Sequence, residues 1–256
     1  TTIYGANGSN GVILITTKRG KGAPKLSYSF RTGINRRPSS HLNQLNGRQY
    51  LNLVKDMGMV DQLGKIDTTQ DTRWADVYNR TGFTNLHSLG LSGSTDAVHY
   101  FLSANIYDEK HTIIGNSTKR YDVRSNVSGN VGKRLVLNST LAASYSKDDM
   151  FNPGNAYFQY SPLISPFGPN GEYIERDPNG GLLQGMPGLI DQNEQKQATA
   201  HVLGTLGFTY QMWDGLVFTN LNGADFTSAN EDQYSSMYNY TGSSSNGEAY
   251  RGQSQV

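Results

Sequence analysis

The chain contains no cysteine among its 256 residues. That excludes a disulfide scaffold and any thiolate-ligated metal. It also lacks a run of eighteen apolar residues, so the sequence offers no transmembrane helix. A membrane barrel is untouched by that absence, because its strands signal only by weak alternation. Charge is scarce: Asp, Glu, Lys and Arg make up 17% of the residues and the net charge is +1. Such a balance gives no electrostatic case for nucleic acid or an anionic membrane surface. Hydrophobic residues are 36% of the chain, leaving a large neutral polar fraction. This composition suits strands with one face on lipid and one on a wet lumen better than a thick-cored soluble enzyme. The chain opens at Thr1 without an initiator methionine or signal peptide and stops in the polar run Arg251-Gly252-Gln253-Ser254-Gln255-Val256. Both ends are those expected of an internal stretch of a longer protein.

Catalytic signatures are missing too. There is no Gly-x-Ser-x-Gly elbow. Gly5, Gly8 and Gly11 precede a strand and no Gly-Lys-Ser/Thr follows, so a phosphate-cradling loop is set aside in favour of tight turns. The five histidines are scattered without ligand spacing. Asp108-Glu109 and Asp148-Asp149 fall at strand ends, where solvated charge is the ordinary explanation, and nothing selects an acid pair for glycoside hydrolysis. Asn-x-Ser/Thr triplets at Asn116, Asn126 and Asn138 are read as chance. No enzyme, metal or cofactor is expected.

What is present is period-two alternation. Lys25–Arg37 places Leu26, Tyr28 and Phe30 on one side. Thr84–Gly93, Ala97–Asp108, Arg120–Val131, Leu135–Ser146, Ala198–Gln211 and Leu216–Thr227 continue the pattern, the last with less certain facing. Arg120–Val131 is the cleanest: Tyr121, Val123, Val127 and Val131 alternate with Arg120, Asp122, Arg124, Asn126 and Asn130. These seven segments are long enough to cross a bilayer core, which takes about ten tilted residues. Helical spacing marks Asn46–Met59, with Asn46 as N-cap, and a shorter turn within Asp71–Arg80.

The connections alternate. Residues 93–96, 132–134 and 212–215 are tight turns, whereas 38–83, 109–119 and 147–197 are longer. Short turns at one rim and long loops at the other are barrel construction. A secreted β-sandwich binding or adhesion module is the alternative, because alternation alone serves either fold. The 147–197 segment is aromatic, and Tyr157, Phe158, Tyr160, Phe167 and Tyr173 suit internal packing, partner contact or ligand contact. Tyr107, Tyr145 and Trp213 look like an interfacial girdle. Lys18-Arg19-Gly20-Lys21 reads as a solvated strand terminus.

Two stretches carry a family resemblance. The opening string runs from Thr1 to Gly20, with Tyr4, Gly5, Gly8, Asn10, Gly11, Thr16, Lys18, Arg19 and Gly20 at matching places. It resembles the end of the plug domain in SusC/RagA-type TonB-dependent outer-membrane transporters. Trp74-Ala75-Asp76-Val77-Tyr78-Asn79-Arg80-Thr81-Gly82, running on to Asp96, resembles the entry to the second barrel strand, with Ser88 and Ser94 departing from the usual Asn and Gly. Tyr100-Phe101-Leu102-Ser103-Ala104 and Lys119-Arg120-Tyr121 are similar to strands that follow. The resemblance implies an all-β fold: plug end over residues 1–24, then residues 25–256 as about seven strands of a barrel of some 22. It also implies import of an oligosaccharide or peptide, a SusD-like surface lipoprotein, energy from a TonB–ExbB–ExbD complex, and contact with outer-membrane lipid. A TonB-dependent receptor for a siderophore or cobalamin is the alternative with the same fold.

Overall fold

The computed structural model describes residues 20–38, 44–152, 159–183 and 187–256. Eight strands form one antiparallel sheet in chain order: β1 (Lys25–Asn35), β2 (Gly82–Ser94), β3 (Val98–Lys110), β4 (Ser117–Val131), β5 (Leu135–Asp149), β6 (Glu194–Trp213), β7 (Leu216–Ser235) and β8 (Glu248–Gln255). A sandwich needs a second sheet over the first. The described residues form one sheet only, so the sandwich alternative is overturned.

Register follows the alternation. Leu26 pairs with Leu91, Leu91 with Leu102, and Tyr28 with Leu89. Val123 pairs with Ala104 and Ala143, and Ala143 with Val202, which meets Phe226. Because the side-chain period is two, these pairs place every apolar set on a single face. The other face carries Ser29, Ser88, Asn105, Asp122, Ser144 and His201 in one continuous paired row. The apolar face is bare: Leu26 is 69% exposed and Val123 57%. Total accessible surface is 17647 Å², against roughly 11,000 Å² for a compact monomer of this mass. An apolar face this broad needs a covering medium.

Among the described residues, the buried hydrophobic ones lie in the connections and none in the strands: Val54, Leu63, Trp74, Ala75, Tyr78, Leu163, Ile164 and Leu183. Helix α1 (Gly47–Asp56) starts at Asn46, the N-cap its sequence predicts, and the structure adds a reciprocal capping box with Gln49. Helix α2 (Trp74–Val77) supplies the centre of one cluster, in which Trp74 and Tyr78 meet Ile164 and Leu183. Val54, Leu63 and Leu163 form the other. The two longest connections therefore fold into a small module with its own core, standing at one rim of the sheet.

Three details differ from the sequence reading. The strands run longer: β6 and β7 have 20 residues each, roughly 65 Å at about 3.3 Å per residue. The added residues 194–197 and 228–235 are polar on both faces apart from Ala229 and Tyr234, which hides the alternation there. An eighth strand, β8, occupies the polar stretch 248–255 for the same reason, pairing Asp232 with Arg251. Tyr107 is not part of an outward girdle. It pairs with Leu86 and Arg120 on the polar face.

Candidate functional site

The polar face, the junction that enters β1, and the loop module are the three places where this fold presents chemistry. The plug-end residues Tyr4, Gly5, Gly8, Asn10, Gly11, Thr16, Lys18 and Arg19 lie outside the described residues, as do Tyr157 and Phe158. Gly20 is described, and it is buried. A methyl group there would overlap the carbonyl oxygens of Tyr100 and Gly93. Glycine is required by proximity, since only a residue without Cβ lets the two backbones approach. His99 Nδ1 donates to the Gly20 carbonyl at 3.1 Å. Gly22 N–H donates to Ser94 Oγ at 2.8 Å, and Ser94 N–H returns a bond to the Gly22 carbonyl at 2.8 Å. His99 and Ser94 belong to the polar face, where they pair with each other. The chain thus enters β1 from the polar side, clamped to the β2–β3 turn.

A hydrogen-bond network lines the polar face at the opposite end. Asn35 Nδ2 donates to Thr84 Oγ1 at 2.8 Å and to Glu109 Oε1 at 2.7 Å. The Tyr107 hydroxyl donates to the other oxygen of Glu109. Arg120 lies 5.3 Å above the Tyr107 ring and pairs with Asp122 at 3.2 Å. Thr118 Oγ1 donates to Asp148 at 2.6 Å and sits 3.0 Å from His111 Nε2. Strands β1 to β5 are laced together by groups that also present donors and acceptors to the lumen side.

The loop module is held by specific ties. Trp74 Nε1 donates to the Ser161 carbonyl at 2.9 Å, and Thr72 N–H to the Pro162 carbonyl at 2.7 Å. Arg80 caps the β3–β4 turn through the His111 and Asn116 carbonyls, at 3.1 and 2.9 Å. Burial, then the charges on Tyr160 and Tyr173, raise the pKa of the Tyr78 hydroxyl. The Asp67 carboxyl is held below its ordinary value by the Thr69 amide, then the Thr69 hydroxyl and the Gln70 side chain.

Of the loop aromatics, Tyr160 packs inward, its ring centroid 5.2 Å from that of Trp74. Phe167 and Tyr173 face outward. They are bridge partners across a Pro169-Asn170-Gly171 turn, their ring centroids 4.9 Å apart and tilted by 34°. With Gln70, Asp71, Arg73 and Asp76 they line an open cleft of about 660 Å³. Asp71 accepts the Gly47 N–H at 2.7 Å and Asp76 pairs with Arg37 at 3.6 Å. Flat aromatic faces beside carboxylates, an amide and a guanidinium can hold a polar ligand by stacking and hydrogen bonds. Phe167 and Tyr173 stand out in the sequence by residue type, whereas Asp71, Arg73 and Asp76 join them only through the fold. A second Pro-Asn-Gly turn, Pro178-Asn179-Gly180, lies outside the cleft. There Asn179 accepts from Lys65 N–H at 2.7 Å and donates to the Leu63 carbonyl at 3.0 Å, docking that turn inward. No group among the described residues gathers three or more metal-ligating side chains.

No family model matches the chain. It is similar to the TonB-dependent receptor P39 of Formosa agariphila, 24% identical over 252 residues, or 91% of this chain and 23% of the relative. It is 29% identical over 123 residues to the TonB-dependent receptor SusC of Bacteroides thetaiotaomicron, covering 47% of this chain and 12% of that receptor. The TonB-dependent receptor P3 of Formosa agariphila is 26% identical over 130 residues. In fold, the chain matches the structure of the RagAB peptide transporter with a TM-score of 0.76 at 20% identity, over 99% of this chain and 34% of that one. The RagAB peptide importer in its closed-closed state gives 0.76 at 18% identity, over 91% and 31%. The chain therefore spans 12% to 23% of the length of these curated relatives and about a third of the solved chains.

Proposed function

The chain is a stretch of a SusC/RagA-type TonB-dependent receptor, a protein of the bacterial outer membrane, and from that premise we propose that the whole receptor imports a nutrient, an oligosaccharide or a peptide, through a plugged barrel. Residues 1–24 end the plug and residues 25–256 begin the barrel wall. The observation that carries this reading is the sheet itself: eight sequential antiparallel strands with one apolar and one polar face. Lipid covers the first and the second lines the passage. The junction at Gly20 enters from the polar side, where a plug belongs. Receptors of this class are not enzymes, and no catalytic residue is assigned.

Energy reaches the plug from a TonB–ExbB–ExbD complex, and a SusD-like lipoprotein covers the long-loop rim. Phe167 and Tyr173, with Asp71, Arg73 and Asp76, form a contact for cargo or for that lipoprotein, while Tyr160 is structural. Uptake of fluorescent oligosaccharides and peptides by cells carrying or lacking the complete receptor tests the reading. Loss of uptake on deleting the receptor, and equally on deleting TonB, is the expected result. Undiminished uptake of every cargo in both strains would remove the proposal.

A further inference from the structure

Toward the long connections the apolar face carries a row of aromatic and apolar side chains, beyond which it continues on β1 and β2 through Ile34 and Phe83. Phe30, His87, Ile106, Tyr121 and Tyr145 follow one another through direct pairing. Aromatic residues at that place anchor a barrel at the boundary between hydrocarbon and headgroups. One pleat further out, Lys119 pairs directly with Lys147 on the same face. Like charges directly opposite each other across a strand pair destabilise it, their Cβ atoms lying about 5 Å apart. Both side chains are exposed, and neither forms an ion pair among the described residues. Lys147 Nζ leans 5.9 Å over the Tyr145 ring, toward the aromatic row.

The neighbouring charges do not resolve the conflict. Asp108 faces Lys119 from β3, with Lys110 two residues away on the same face. The Asp149 carboxylate accepts the Ser117 hydroxyl at 2.8 Å, and Lys196 is held by Glu194 at 3.1 Å. With Asp232, which faces Lys196 from β7 and pairs with Arg251, five cationic side chains stand against four carboxylates. The surplus positive charge sits at Lys119 and Lys147, at headgroup depth.

We infer that Lys119 and Lys147 form a binding site for the phosphomonoester of a membrane glycolipid. The inference rests on the outer-membrane reading above, which places the long connections in the outer leaflet. A phosphomonoester carries about −1.5 to −2 charges near neutral pH and three acceptor oxygens. It matches two adjacent ammonium groups. A phosphodiester offers only two unesterified oxygens to the same pair. The aromatic row supplies the surface for the acyl chains beneath.

The test uses the full-length receptor in non-ionic detergent, so it does not depend on import. Lipid A, phosphatidylglycerol and phosphatidylcholine are added separately, and bound lipid is read by native mass spectrometry and by thermal shift. The expected result is retention of lipid A above both phospholipids. A Lys119→Gln/Lys147→Gln variant weakens that retention by about tenfold or more, the size of one lost charge-assisted contact. In detergent alone the same variant melts at or above the wild-type temperature, because the repulsion is gone. Lys119→Arg/Lys147→Arg retains the lipid. Equal retention of lipid A by the Gln variant, equal binding of phosphatidylglycerol, or no bound lipid A at all would overturn the inference.

Discussion

Gly20 shows how a single residue can be fixed by its surroundings. No positive φ requires glycine there; backbone atoms of Tyr100 and Gly93 occupy the space a Cβ would take. Gly20→Ala is expected to cost about 1–3 kcal/mol by overpacking, read as a lower melting temperature of the full receptor and faster proteolysis at the junction. Trp74 carries the other local burden, with its ring in the loop core and its indole N–H bonded to Ser161. Trp74→Ala should cost about 3–5 kcal/mol, expressed as cleavage within 36–81 and 150–193 while the strands stay protected. Tyr78 is neutral in the core, with its pKa raised above the ordinary value. The unfolded hydroxyl ionises first, so this contribution is complete below about pH 10 and declines as pH rises further. Proteolysis of the loop module should therefore accelerate at strongly alkaline pH. Residues of this kind were legible only in part. Trp74 and Tyr78 stood out as apolar residues at helical spacing. The need for glycine at position 20 depends on a hairpin some 75 residues away, and no local pattern encodes it.

At the scale of elements, alternation was the legible signal. It placed Tyr121, Val123 and Val127 on one face of β4 and Arg120, Asp122 and Arg124 on the other, and the register keeps them so. It failed where both faces are polar. The 228–235 end of β7 and the whole of β8 are held by ladder pairing, which any sequence can provide, and by the Arg251–Asp232 pair at 2.5 Å. The cleft was half legible for a similar reason. Phe167 and Tyr173 announced themselves by type, but Asp71, Arg73 and Asp76 reach them only because α2 docks against the 159–183 segment. That docking predicts that Asn179→Ala, which removes both ties to residues 63–65, loosens the second Pro-Asn-Gly turn. Hydrogen exchange should rise there and at Lys65, and leave β4 unchanged. Along a strand the two faces should also differ in tolerance. Val127→Arg on the apolar face should cost about 2–4 kcal/mol near the bilayer midplane, whereas Thr140→Arg at the same depth on the polar face, opposite Asn126 and Thr205, is admitted with a smaller loss. Unfolding of the receptor in lipid vesicles compares them.

The whole molecule has its hydrophobic side chains arranged as for a solvent other than water. Among the described residues the core is confined to the loops and the sheet is a single layer, and the surface is far larger than a compact chain of the same mass exposes. Those facts agree with the chain being one portion of a barrel wall, and they make facing the central claim. This stretch has no native thiol, and with any cysteine elsewhere in the full receptor replaced, single cysteines introduced along 120–131 report one position each. Spin labels at these sites, in lipid vesicles, distinguish lipid from water by their relaxation with oxygen or a water-soluble nickel chelate. The account predicts a period of two: oxygen access at Tyr121, Val123, Val127 and Val131, and restriction or aqueous access at Arg120, Asp122, Arg124 and Asn126. Uniform aqueous access along the strand, or oxygen access at the even positions, would contradict it.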